Sequence, residues 1–98
     1  MFQIRRTEEF VHWLDGLKDH LSRARLIRRL DRARQGHLGD VKPVGEGVFE
    51  MREHFGPGWR MYYFRRGDIV IVMLGGGDKS SQSADIAKAI RLAAEYDE

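Results

Sequence analysis

The chain has 98 residues, 42% hydrophobic and 10% aromatic, which excludes a disordered segment and leaves room for one small domain spanning 1–98. It has no cysteine, so a disulfide framework and a thiolate metal site are excluded, and a reducing, cytoplasmic setting is expected. Net charge is only +2 while the pI is about 9.2, and no apolar run approaches the ~20 residues of a membrane span. The first residues, MFQIRRTEEF, have no apolar stretch of the signal-peptide kind.

Phe2-Gln3-Ile4 alternates and predicts a short edge strand. Thr7 is a good N-cap, and Glu8 and Glu9 follow in the first turn, where the helix dipole favours acids. Phe10, Leu14 and Leu17 recur at helical spacing beside Val11 and Trp13, so an amphipathic helix of about three turns is expected, weakened at its end by Gly16. Asp19 or His20 opens a second helix. Its expected buried stripe is Leu21, Ala24, Ile27, Leu30 and Ala33, widened by Leu26, with Arg25, Arg28, Arg29 and Arg32 largely on the opposite side. Gly36 and Gly39 stop this helix, and the resulting helical hairpin has only a sheet to pack on. His37 to Glu46, HLGDVKPVGE, reads as a loop that Val41 and Val44 pin to the core.

Three strand-like runs then lie end to end: Val48–Phe55, Trp59–Phe64 and Ile69–Leu74. Gly56-Pro57-Gly58 and Arg65-Arg66-Gly67-Asp68 separate them, and gaps this short favour an antiparallel meander. Gly75, Gly76 and Gly77 are expected to take the chain out of the sheet with positive φ. Ser83 and Asp85 open a last helix with Ile86, Ile90 and Ala93 on its apolar stripe. The expected order is β-α-α-β-β-β-α, an α+β layer fold.

Several motifs lose their functional reading on inspection. GGGDKS joins strand to helix like a phosphate-binding loop, but Asp78 separates Gly77 from Lys79 and repels phosphate. Arg66-Gly67-Asp68 is turn composition. His12, His20, His37 and His54 have no metal-ligand spacing, so neither metal nor cofactor is expected.

Three features keep two readings each. The arginines of the second helix suit a solvated face or a polyanion. His54 is an exposed strand residue or a proton donor and acceptor near neutral pH. Arg52 and Arg60 lie on neighbouring strands if Gly56-Pro57-Gly58 closes a hairpin. On one sheet face they would clamp a phosphate; otherwise they pair with Glu50 and Glu53. Trp59, Tyr62 and Tyr63 beside Arg60 suit a single-stranded RNA site, and they suit a sheet core as well.

The segments V-F-E-M-R, W-R-M-Y-Y and I-V-M-L-G-G-G-D-K-S-S-Q, following an N-terminal strand and a basic helical hairpin, resemble the RelE/ParE superfamily of toxin–antitoxin toxins. The spelling from Trp59 to Gln82 is most similar to the phage-derived, HigB-like branch of addiction module killer proteins. The resemblance implies a microbial-RNase-like twisted antiparallel sheet with helices on one side. It also implies cleavage of mRNA in the ribosomal A site, without a metal, by attack of a 2′-hydroxyl on the adjacent phosphate. Arg52 of E-M-R and Arg60 of G-W-R-M-Y would then hold the scissile phosphate. Lys79 would be the second member of the family's basic pair, His54 an acid or base, and Tyr63 a stacking platform for a base. Arg25, Arg28, Arg29 and Arg32 would face RNA phosphates.

The implied partners are a small helix-turn-helix antitoxin, the ribosome with its mRNA, and promoter DNA only through the antitoxin complex. The sequence departs from the family pattern at Asp78, where a basic residue is usual, and at Ala84, where a proline is common. Two other readings stay open: a ParE-like DNA gyrase inhibitor that cleaves nothing, and a decayed toxin that only binds its antitoxin.

Overall fold

The computed structural model describes residues 1–96. Strand β1 (Gln3–Arg6) leads into α1 (Glu8–Asp15) and α2 (His20–Arg34), then β2 (Val41–Gly45), β3 (Val48–Arg52), β4 (Arg60–Arg66) and β5 (Val70–Gly77). A single 3-10 turn, Lys79–Ser81, precedes α3 (Gln82–Glu95). The class is α+β, as the pattern predicts, and the fold is compatible with the RelE-like arrangement. Among the described residues, no helix is long and apolar enough to cross a membrane.

The sheet has five strands in the order β1-β5-β4-β3-β2. Three details differ from expectation. The stretch read as loop contains β2, which pairs antiparallel with β3 through Val41, Lys42 and Pro43. Pro43 hid it, because a residue without an N–H is admitted only at a sheet edge, and β2 is that edge. Secondly, β1 is an edge strand as expected but runs parallel to β5, with Ile4 beside Ile71. Its partner lies far along the chain, so turn signals carry no information about its direction.

Thirdly, the helices divide between both faces of the sheet. Phe10 and Leu14 of α1, with Leu26, Leu30 and Ala33 of α2, pack on Met51, Met61, Tyr63, Ile71 and Met73. Ala89, Ile86, Ile90 and Ala93 of α3 pack on Val48, Tyr62, Val72 and Leu74. Those two sets alternate along each strand, as the period of two requires. A sheet buried on both faces reads as continuous apolar runs, so the sequence did not show which helix covers which face.

Local chemistry explains the helix ends. The Phe10 N–H donates to Thr7 Oγ1 at 3.2 Å, and the Thr7 hydroxyl donates in turn to Met73 O at 2.8 Å, fastening α1 to β5. Asp19 Oδ1 accepts from the N–H groups of Leu21 and Ser22 at the start of α2. The buried line of α2 is Ser22, Leu26, Arg29, Leu30 and Ala33, whereas Leu21 and Ala24 are exposed. Leu26 therefore lies at the centre of the stripe, with Arg29 inside it.

Gly75, Gly76 and Gly77 also depart from expectation. They stay in β5, opposite Tyr62, Met61 and Arg60, without positive φ. Close approach accounts for Gly76: a Cβ there would come within 2.5 Å of the Trp13 ring. Gly76→Ala is expected to cost about 1–3 kcal/mol through overpacking. The check is a lower urea midpoint at unchanged slope; an unshifted midpoint would mean that Trp13 moves aside freely.

Candidate functional site at the open end of the central strands

In the β3–β4 register Arg52 lies directly opposite Arg60, so the two arginines share the face that α3 covers. Beyond them the chain turns through residues 53–59, and their charged neighbours converge there. Arg60 is nearly buried, its side chain 6% exposed. Its Nη1 donates to Glu53 O at 2.8 Å and to Trp59 O at 3.0 Å. Its Nε is 3.8 Å from Glu50 Oε1, too far for a hydrogen bond, and is buried without a partner. Its Nη2 makes no hydrogen bond among the described residues.

Glu50 anchors this cluster from below. It is 1% exposed, and Gln82 at the start of α3 donates to its Oε2 at 2.7 Å. The Tyr62 hydroxyl is also buried without a hydrogen bond. Burial, then the neighbouring Glu50 charge, push the Tyr62 phenol far above its ordinary pKa, so it stays neutral. A buried carboxylate paired with a buried guanidinium fixes where that guanidinium lies, because moving either leaves a charge unpaired in a dry setting.

Arg52 and His54 meet at a residue the sequence reading passed over. Asp40 Oδ1 accepts from Arg52 Nε at 3.3 Å and Nη2 at 3.1 Å, and Asp40 Oδ2 lies 2.9 Å from His54 Nε2. These contacts, His54 first and Arg52 second, hold the Asp40 carboxyl below the usual carboxylate range. A lowered folded pKa stabilises the fold above the unfolded carboxylate range, and that support is lost as pH falls through the folded value. Only the register of β2, itself read as loop, brings Asp40 beside Arg52.

Lys79 comes from the other side. Its aliphatic chain lies over Gly58, where a Cβ would approach Lys79 Cδ to 2.6 Å and Arg60 Nη1 to 3.6 Å. The Asp78 side chain accepts from the Ser80 N–H and hydroxyl and caps the 3-10 turn. The Ser80 hydroxyl and then the Ser80 N–H hold the Asp78 carboxyl below its ordinary range. Arg52, His54, Arg60 and Lys79 thus gather around one turn, although they come from two strands, a loop and a helix entry.

The residues expected to contact RNA separate into two groups. Arg25, Arg28 and Arg32 are exposed and line a cleft with Arg29 and Glu53. The Arg25 guanidinium stacks 3.8 Å from the centre of the Phe55 ring. Arg29 is different: it is 8% exposed and lies inside the fold. It donates to Leu38 O, Asp40 O and Arg52 O and pairs with Glu53. Gly39, at φ 72, lets the loop close on it, since a Cβ would come within 3.0–3.2 Å of the guanidinium.

Tyr63 is 1% exposed and stacked on Phe49 with ring centres 5.5 Å apart, so no base reaches it. Alternation places Tyr63 on the face covered by α1 and α2, away from Arg60. Among the described residues, no cluster of three or more His, Asp or Glu side chains offers a metal site.

Comparisons with known proteins agree over nearly the whole chain. An uncharacterized protein of Haemophilus influenzae is 40% identical over 93 residues, covering 95% of this chain and 94% of that one. The family described as Phage derived protein Gp49-like (DUF891) matches residues 12–96, a stretch that runs from α1 to the end of α3 and includes every residue of the basic turn. Matched over that length, the chain belongs to the phage-derived Gp49-like family.

Proposed function

We propose that this chain is the toxin of a type II toxin–antitoxin module and cleaves mRNA in the ribosomal A site. The observation that carries the reading is the convergence of Arg52, Arg60, Lys79 and His54 around one turn. Further support comes from the family, which is associated with addiction modules. The chemistry asks for these groups and no metal. A 2′-hydroxyl gives up its proton, O2′ bonds to phosphorus, and the P–O5′ bond breaks, leaving a 2′,3′-cyclic phosphate and a 5′-hydroxyl. Negative charge gathers on the phosphate oxygens in the transition state, where positioned cations lower the barrier. Arg60 Nη2 and Arg52 Nη1 are the donors for those oxygens, Lys79 adds a charge, and His54 is the acid–base group.

Arg25, Arg28 and Arg32 serve as phosphate contacts outside the cleavage site, with rRNA or the message as partner; such binding weakens steeply with salt. The module's other half is a small helix-turn-helix antitoxin, and the pair binds promoter DNA through it. The setting is the cytoplasm.

The near-complete burial of Arg60 favours a second reading, in which the chain binds without cleaving. A ParE-like gyrase inhibitor and a toxin that has decayed to an antitoxin binder both fit that description. Purified ribosomes programmed with mRNA, with 5′ ends mapped by primer extension, separate the readings. Cuts inside A-site codons that require ribosomes are the expected result. Intact message from folded protein overturns the nuclease reading, and a gyrase supercoiling assay then divides the other two.

A further inference from the structure

We propose that Asp40 is the positioning residue of the cleavage site: its carboxylate holds the His54 ring in the tautomer that leaves Nδ1 as the base and, by holding Arg52 through Nε and Nη2, leaves Arg52 Nη1 for the same phosphate. The proposal rests on the nuclease reading above. An ionised carboxylate only accepts, so at 2.9 Å His54 Nε2 must be the donor and carry the ring proton. The lone pair is then on Nδ1. The His54 side chain is 72% exposed, and its ring makes no other hydrogen bond among the described residues, so that lone pair faces solvent.

The charged groups around the ring agree with this role. Asp40 meets it from the loop before β2 and Arg52 of β3 shares the same carboxylate, while Arg60 donates to the carbonyl of the preceding residue, Glu53. The Glu53 carboxylate itself turns to the other face and is taken by Arg29. Asp40 is therefore the only carboxylate on His54 among the described residues.

The backbone makes the arrangement rigid. Arg52 N–H donates to Asp40 O at 3.0 Å, and Arg29 Nη2 donates to the same oxygen at 2.9 Å. The carboxylate thus projects from a peptide held at two points. In the reaction Nδ1 takes the 2′-hydroxyl proton as O2′ bonds to phosphorus. The resulting imidazolium keeps its Nε2–H on Asp40, the P–O5′ bond breaks, and O5′ takes a proton from water. The imidazolium afterwards returns its proton to solvent. This is the carboxylate–imidazole logic that orients a general base and stabilises its charged form.

Asp40→Asn tests the tautomer. An asparagine keeps an oxygen for Arg52 and places an NH2 toward His54, so Nε2 must accept and Nδ1 carries the proton. On ribosomes programmed with a short mRNA, the single-turnover rate is expected to fall about 10–10²-fold with KM changed less than about threefold. In a His54→Ala background the same substitution is expected to change the rate less than about twofold, because the two residues act as one unit. Ring nitrogen resonances of His54 in the free protein should report Nε2–H in the wild type, a readout independent of activity.

An Asp40→Asn rate above half of wild type, penalties that multiply in the double variant, or an Nδ1–H wild-type ring would each overturn the proposal. Uncut message with an Nε2–H ring would instead place the failure in the nuclease reading, and the proposal falls with it.

Discussion

Arg60→Ala is expected to lower ribosome-dependent cleavage by about 10² or more, the usual cost of removing a donor aimed at developing charge. It is also expected to destabilise the fold, because Glu50 is 1% exposed and would lose its cationic neighbour. Breaking one side of a buried pair costs about 3–5 kcal/mol. The two effects separate in a double variant. Glu50→Gln with Arg60→Met removes the orphaned charge and keeps the hydrogen bond to Gln82 within reach, so stability should recover while cleavage stays lost.

Arg60→Lys probes the same point from the other side. An ammonium restores charge beside Glu50 but not the planar fork, so it should fold and cleave poorly. Urea unfolding and 5′-end mapping on the same preparations give both readings. Cleavage by the double variant at near wild-type rate would remove Arg60 from the chemistry.

Arg29→Ala has the largest expected effect on stability alone. Its guanidinium ties α2 to Leu38 O, Asp40 O, Arg52 O and Glu53, so truncation leaves carbonyls and a carboxylate without their donor. A loss of about 3–5 kcal/mol is expected, from the buried ion pair and the unsatisfied acceptors together. Arg29→Lys should recover little, since one ammonium cannot span acceptors that a five-donor fork reaches. Arg28→Ala and Arg32→Ala are the controls. Both side chains are exposed and have no ion pair among the described residues, so each should change stability by no more than about 0.5 kcal/mol. An Arg29→Ala midpoint equal to that of Arg28→Ala would show that the loop holds without its staple.

These two arginines mark where a sequence stops being informative. Arg29 sits in a run of arginines, and its spacing from Leu26 and Ala33 puts it beside the apolar stripe, yet composition treats it like Arg28. Its burial depends on acceptors supplied by a loop and a strand end well downstream in the chain. Tyr63 failed as a base platform for a related reason. Helices cover both faces of the sheet, so an aromatic of β4 is buried whichever way it points, and only the packing of α1 and α2 on one face and α3 on the other shows this.

The sequence by itself determined the local structure. Periodicity specified the three helices and caps specified the starts of α1 and α2, whereas α3 begins at Gln82, ahead of the expected cap Ser83. Aromatic runs between turn signals specified β3 to β5, and the short gaps specified their antiparallel pairing. Those features depend on neighbours within a few residues, so they are written in order along the chain. The words E-M-R and G-W-R-M-Y point to Arg52 and Arg60 through family resemblance alone.

Tertiary structure decided everything that joins distant residues. It set β1 parallel to β5, placed α3 on the face opposite α1 and α2, and put Asp40 against Arg52 and His54. It also turned Arg29 inward. The physical reason is the same in each case. Burial of a charge or the choice of a sheet face is settled by which partners can satisfy it in space, and that pairing is a property of the packed molecule.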